Sequence, residues 1–295
     1  MLKFDPSLIT SQRLHQIILG SVAPRPIAFA STVDKEGVVN LSPFSFFNAF
    51  GVNPTTLIFS PSRRGRDNTT KHTYENIKEV PEVVINIVSY DMVEQMSLAS
   101  TEYPRGTNEF IKAGFTALAS EKIRPFRVAE SPVQYECKVR QVIETGDGGG
   151  AANLIICEVL LVHVNEDILD DKGSIDPEKI KLVGRMGGDY YVRAFGNSLF
   201  KVAKPLDRLG MGIDMLPEFI RDSHVFSGND LGKLGNIEHL PQENDLAHVY
   251  LSPLWLDLQK NFGHDPKRFA TEVQLLAKEL LTQGQAWEAL CLLLA

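Results

Sequence analysis

Long apolar runs are scarce in this chain. The most apolar stretch, Leu154 to Val164, is interrupted by Glu158 and His163. It is far shorter than the roughly 20 residues a bilayer helix needs, so it reads as a buried strand and no membrane span is expected. Cysteine is also scarce: Cys137, Cys157 and Cys291 are far apart and never spaced CxxC, which excludes a disulfide framework and a zinc knuckle. That usage fits a reducing cytoplasm. Positive charge is in deficit, with 30 Lys and Arg against 37 Asp and Glu for a formal net charge of -7. No global field draws such a chain to nucleic acid or an anionic membrane, and any anion site must be local. There is no Gly-x-Ser-x-Gly elbow and no His-Glu-x-x-His pattern, and the histidines are scattered, so no hydrolytic triad and no metal is expected. Met1 to Pro6 reach charge and proline at once, and the apolar stretch Ile17 to Ala23 is too short and too far in for an export signal, so none is expected.

What is present is an ordinary globular composition with room for two domains: 295 residues, 43% hydrophobic, 22 Gly and 16 Pro. From Pro26 to about Val164, short runs rich in Val, Ile, Phe and Thr alternate with turn clusters, the signature of a β-dominated domain. Ile27 to Val33 and Val38 to Ala49 flank Asp34-Lys35-Glu36-Gly37 and read as a hairpin; Thr56 to Ser60 and Val83 to Ser89 add strands. Short helical patterns interrupt them at Lys71 to Glu79, Asp91 to Ser100 and Thr107 to Ala113. Val133 to Thr145 and Leu154 to Asn165 form a longer strand pair across a glycine-rich loop, and Gly184 to Val192 supplies a loop and a last strand.

Near Pro205 the character changes. Leu209 to Phe219 and Arg268 to Leu294 show helical apolar spacing, with a Gly/Asn/Asp-rich bridge from Gly228 to Asn236 between them. The division is therefore 1–205 and 206–295, the second part a helical extension. Its apolar stripe through Phe269, Val273, Leu276, Leu280, Trp287, Leu290 and Leu294 needs a partner surface, so it is expected to cover the β domain and not to fold separately.

Two stretches carry chemistry. Pro61 to Thr73 holds Arg63, Arg64, Arg66 and Lys71 against one acid, between a strand and a helix start, where hydroxyls, first-turn amides and cations could converge on a phosphate. The same stretch reads equally as a solvated basic loop with Asn68 or Thr69 capping the helix. It lacks the glycine and Gly-Lys-Ser/Thr order of a Walker loop. Gly146 to Ala151 matches Gly-x-Gly-x-x-Ala, but a strand follows where a dinucleotide fingerprint needs a helix, so it reads as a flexible hairpin loop. Ser42-Pro43-Phe44-Ser45-Phe46-Phe47-Asn48 interleaves aromatic rings with hydroxyls and an amide, which suits either a planar ligand or a plain aromatic core strand. His163, on an apolar strand, reads by itself as a core histidine.

These residues, in this order, resemble the flavin reductase-like family of FMN-binding split barrels, which includes flavoredoxins and flavin:NAD(P)H oxidoreductases. The resemblance runs from about residue 15 to 205. It is carried by Pro24-Arg25-Pro26-Ile27-Ala28, by Val38 to Asn48, by Lys71-His72-Thr73 with Asn76-Ile77, and by Ile175-Asp176-Pro177, Leu182 to Gly188 and Tyr190-Tyr191. The family usually has Lys-Asp-Thr where this chain has Lys71-His72-Thr73, so His72 departs from the pattern. The resemblance implies a mainly β (α+β) fold, a split β-barrel with crossover helices and the helical extension appended, forming a homodimer with noncovalent FMN. It implies Ser45, Phe46, Phe47 and Asn48 along the flavin ring and ribityl chain, and Ser60, Arg64, Lys71, His72 and Thr73 at the phosphate end. His163 and Arg185 would lie near the open ring face, where a substrate enters. The activity implied is hydride transfer from NADH or NADPH to FMN, with electrons passed to a partner oxygenase or another acceptor. The alternative is an FMN electron carrier without its own nicotinamide turnover.

Overall fold

Gly37 takes a left-handed φ of +86°, and the Asp34 carboxylate accepts from the Val38 amide at 2.8 Å. That turn joins β1 (Ala28–Val33) to β2 (Val39–Phe44) as an antiparallel hairpin, as the sequence leads one to expect. The computed structural model describes residues 1–203 and 209–295, which cluster into two units, 1–200 and 201–295. The expected boundary at Pro205 lies outside the described residues.

The hairpin's second arm ends sooner than its apolar pattern implies. Ser45 and Phe46 interrupt it, and the chain resumes as β3 (Phe47–Val52), which pairs with β4 (Thr55–Phe59). With β5 (Glu82–Ile87), the short pair β6 (Ala117–Leu118) and β7 (Arg127–Val128), and the long hairpin β8 (Val133–Glu144) and β9 (Asn153–Val164), the main sheet runs β2-β1-β5-β8-β9-β4-β3. Its two edge strands are therefore consecutive in the chain. A two-residue link spans only about 10 Å, so the sheet must curl until its edges meet at Ser45-Phe46, which is the split-barrel form.

β1 is buried along its whole length because its two faces serve different cores. Ala28 and Ala30 point with Phe44, Leu57, Phe59, Ile85, Cys137 and Ile155 into the curl of the sheet. Ile27 and Phe29 point the other way, against Met92, Met96 and Phe110.

An unforeseen helix, α1 (Ser11–Ser21), precedes the barrel, capped by the Thr10 hydroxyl. The expected crossover helices appear as α2 (His72–Glu79), α3 (Val93–Leu98) and α4 (Glu109–Ala113). α5 (Pro177–Ile180) leads into the small antiparallel pair β10 (Val183–Arg185) and β11 (Tyr191–Arg193).

Three expectations about residues 201–295 are corrected. Leu209 to Phe219 holds no continuous helix but a 3-10 turn, Ile213–Met215, before the short α6 (Glu218–Arg221). The stretch read as a bridge is α7 (Gly228–Gly235): Ser227 and Asp230 exchange hydrogen bonds as a capping box, which outweighs the poor helix propensity of its glycines. The long stripe is two helices, α10 (Pro266–Thr282) and α11 (Ala286–Leu294), broken where Gly284 adopts φ +81°. Together with α8 (Glu243–Tyr250) and α9 (Pro253–Phe262), they close their own core around Leu216, Ile220, Leu234, Trp255, Ala277, Leu281 and Leu290.

The segment therefore has an apolar interior of its own, so its helical stripe has a partner surface within the segment. An isolated 201–295 fragment should unfold in one cooperative thermal transition. Leu281→Ala should destabilise it by about 2–5 kcal/mol, the usual cost of such a cavity. A fragment with no cooperative melt would show that this core depends on residues 1–200.

Candidate functional site

Four like charges, Arg63, Arg64, Arg66 and Lys71, fall within nine residues of one loop, and neighbouring backbone holds the loop in place. The Arg63 amide donates to the Ala151 carbonyl at 2.9 Å and the Gly150 amide returns a bond to Arg63 O at 3.0 Å. Asn68 Nδ2 donates to the Asp147 carbonyl at 2.8 Å. A Cβ on Gly149 would stand 3.1 Å from the Gly65 carbonyl oxygen and 3.2 Å from that of Arg64, so the approach requires glycine. The glycine loop, read from sequence as a flexible connection, is a buttress for the basic loop.

On this support Arg64, Lys71, His72 and Thr73 line one cleft together with Asn40, Ser42 and Glu102. Arg64 Nη1 donates to Thr69 Oγ1 at 3.0 Å and also to the Thr70 carbonyl. Lys71 is the N-cap residue of α2. Thr73 is buried, and its hydroxyl accepts from Asn40 Nδ2 at 2.9 Å, leaving the hydroxyl proton to donate. Asn76 Nδ2 donates to Thr32 Oγ1 at 3.2 Å, so α2 is pinned to the β1–β2 hairpin at two points. Burial holds the His72 imidazole below its ordinary range, so His72 adds no positive charge at neutral pH.

A residue missed in the sequence sits among these cations. Glu102 Oε1 is 2.9 Å from Arg64 Nε and 3.2 Å from Lys71 Nζ, and Oε2 pairs with Arg66. Arg64's hydrogen bond, with Lys71 beside it, holds the Glu102 carboxyl down to about 2.

The Ser45-Phe46 corner adjoins this loop. The Ser60 amide donates to Phe46 O at 2.9 Å, and buried Ser60 has its hydroxyl 3.3 Å from that of Ser62. Phe47 packs on the barrel core, while Phe46 and Asn48 face outward and Phe46 meets the His15 ring edge-on at 6.5 Å. Ser45 Oγ accepts from Arg25 Nε at 3.3 Å. Arg25, also unforeseen, is buried and donates to the Leu19, Val22 and Met186 carbonyls at 2.8, 2.7 and 2.9 Å. Burial, with Arg185 near, lowers its pKa.

Arg25 and Arg185 exchange backbone hydrogen bonds at 3.0 and 2.8 Å, which places β10 beside the Ser45 corner. Arg185 lines a cleft of about 470 Å³ with Tyr90, Glu94, Asp189, Tyr191 and Arg193. Its guanidinium stacks 4.7 Å from the Tyr191 ring centre, and that of Arg193 4.5 Å from Tyr90.

His163 lies apart from all of these. Its Nε2 is 2.7 Å from Oε1 of Glu136, a carboxylate with no exposed surface that also accepts from the Glu121 and Lys122 amides at 2.9 and 2.7 Å. The Glu136 carboxylate, held by the ring, pins the 121–122 segment to the sheet.

A family model described as flavin reductase like domain matches residues 19–178. An uncharacterised protein from Aquifex aeolicus is 40% identical over 189 residues, covering 64% of this chain and 94% of its own. Among solved structures, nitrilotriacetate monooxygenase component B from Bacillus cereus is similar at 30% identity and TM-score 0.64, covering 68% of this chain and 98% of that one. The 2-nitrobenzoate 2-nitroreductase of Pseudomonas fluorescens is similar at 25% identity and TM-score 0.60, covering 74% and 99%.

Burial alone would raise the Glu136 carboxyl, but the two amides and the His163 ring together hold it below its ordinary 4.5. A carboxyl depressed by folding contributes stability above its unfolded pKa and loses that contribution as pH falls through the folded value. Glu136→Gln should therefore lower stability by about 1–3 kcal/mol near neutral pH, the cost of weakening buried charge-assisted bonds. The difference from the parent chain should shrink to nothing in acid below the ordinary carboxylate range. A difference in denaturant midpoints that persists unchanged into acid would remove the ionised form from this account.

Proposed function

The chain belongs to the flavin reductase-like family, and from that premise we propose that it is an FMN-dependent oxidoreductase that takes a hydride from NADH or NADPH and passes electrons to a second acceptor. The observation that carries this reading is the convergence of Arg64, Lys71 and the Thr73 hydroxyl on one cleft, next to the Ser45-Phe46 corner where the barrel edges meet. The donor set fits a phosphomonoester: two cations and a hydroxyl line one small cleft.

When bound, FMN would supply the electron chemistry, and the protein's part would be binding, orientation and electrostatics. Arg64, Lys71 and Thr73 would hold the phosphate, with Ser60 and the neutral His72 beside them. Ser45, Phe46, Phe47 and Asn48 would line the ring and ribityl chain, with Ser45 oriented by buried Arg25. Arg185, in the cleft with Tyr191 and Arg193, is the residue we assign to the second substrate, since a stacked guanidinium suits a planar anionic ligand. His163, engaged with Glu136, is assigned to the same substrate side, its strand brought to the ring by the partner subunit of the dimer proposed below. The relative that is a monooxygenase component supports a partner oxygenase as one kind of acceptor.

A homodimer is part of the proposal. β3 is an edge strand exposed from Asn48 to Val52 with Phe50 and Val52 on it, and Leu160, Val162 and Val164 of β9 are exposed too. An apolar edge of this kind needs a cover, which a second copy supplies. Three buried free cysteines fit a cytoplasmic location, and among the described residues no helix is long and apolar enough to cross a membrane.

In anaerobic stopped flow, the bound flavin's absorbance should bleach within seconds of adding NADH or NADPH. Bleaching only by dithionite or a partner protein would make the chain an electron carrier. Light scattering should give twice the 32.8 kDa chain mass at micromolar protein; the single-chain mass would refute the dimer.

A further inference from the structure

We propose that Glu102 is a built-in stand-in for the ligand's phosphate, so that a phosphomonoester binds this loop by exchanging with a carboxylate the protein itself supplies. The proposal rests on the flavin-phosphate reading above. Glu102 Oε1 is within hydrogen-bond distance of both Arg64 Nε, at 2.9 Å, and Lys71 Nζ, at 3.2 Å. That bridging point between the two cations is where a phosphate oxygen gains most. The other oxygen takes Arg66, so one carboxylate engages three of the loop's cations.

Without Glu102, Arg64 and Lys71 would repel one another across a small cleft, with Arg66 adding its charge from the surface beside it. With it, three positive charges less one negative leave two. A phosphomonoester carries roughly 1.5 to 2 negative charges at neutral pH and offers three acceptor oxygens, more on both counts than the carboxylate it would replace. An uncharged ligand offers nothing to exchange. Glu102 stays ionised throughout the neutral range, so it competes at every working pH.

Glu102 lies in the segment between α3 and α4, and the arrangement lets it leave without loss of the fold. Its neighbour Arg105 is anchored separately, 2.7 Å from Glu75 and 3.8 Å from Asp34. Arg64 has separate bonds to Thr69 and Thr70 that do not pass through Glu102. Glu102 thus sets how strongly the site discriminates a phosphorylated flavin from its uncharged counterpart.

The test is fluorescence titration of flavin-free, full-length protein with FMN and with riboflavin, for the parent chain, Glu102→Gln, Glu102→Ala and Lys71→Ala. Both Glu102 variants should bind FMN about tenfold more tightly, as expected for removing a competitor held by a few partly exposed ion pairs, and bind riboflavin within about twofold of the parent. A gain in affinity does not arise from misfolding. Weaker FMN binding in both Glu102 variants would overturn the proposal and make Glu102 a clamp that orients the cations. Unchanged FMN binding, alongside a loss for FMN but not riboflavin in Lys71→Ala, would overturn the exchange while leaving the phosphate site standing. Equal effects of Lys71→Ala on both flavins would sink the phosphate site itself.

Discussion

Arg63, Arg64, Arg66 and Lys71 repel one another, and much of the barrel's local architecture serves to keep them together. The basic loop is stitched along its backbone to the glycine turn of the β8–β9 hairpin, at Arg63 with Gly150 and Ala151. The approach is close enough to exclude a side chain at Gly149. Glu102 bridges Arg64 and Lys71 within the cluster. The loop's other end enters α2, fixed by the Asn40–Thr73 and Asn76–Thr32 bonds. A loop held by this many contacts within the protein itself leaves a ligand less of the entropy of ordering to meet.

The same economy of position applies at the barrel seam. Because the sheet's edges are consecutive in the chain, Ser45 and Phe46 have to bridge them, and the ring-binding corner proposed here is a by-product of closing the sheet. Arg25 makes that corner rigid by tying α1, Met186 and Ser45 to one buried guanidinium whose charge is met by carbonyl oxygens. Close packing there needs small residues: a Cβ on Gly184 would stand 2.8 Å from Pro24 Cβ.

Local pattern made the β1–β2 hairpin and the β8–β9 pair readable, since alternation and a turn glycine sit within a few residues of each other. The break at Ser45 was not readable, because it follows from where the far edge of the sheet lies and not from nearby residues. Composition misled at Gly228 to Asn236, although Ser227 and Asp230 stood there as a capping signal. The basic loop was visible as a charge cluster against an acidic background, whereas Glu102 was one glutamate among many until the fold brought it 31 residues back to Lys71. Arg25 stands in the Pro24-Arg25-Pro26 motif, but nothing local marks an arginine as buried. The own core of residues 201–295 was missed because a single helical stripe says that a partner surface exists and not where it is.

The central claim is that this chain holds FMN by its phosphate at the Arg64–Lys71 loop. The most direct measurement is the absorbance spectrum of the purified full-length protein. The account predicts the paired near-ultraviolet and blue bands of an oxidised flavin, with FMN released intact on heating. A colourless protein that takes up no FMN when the flavin is added would contradict it.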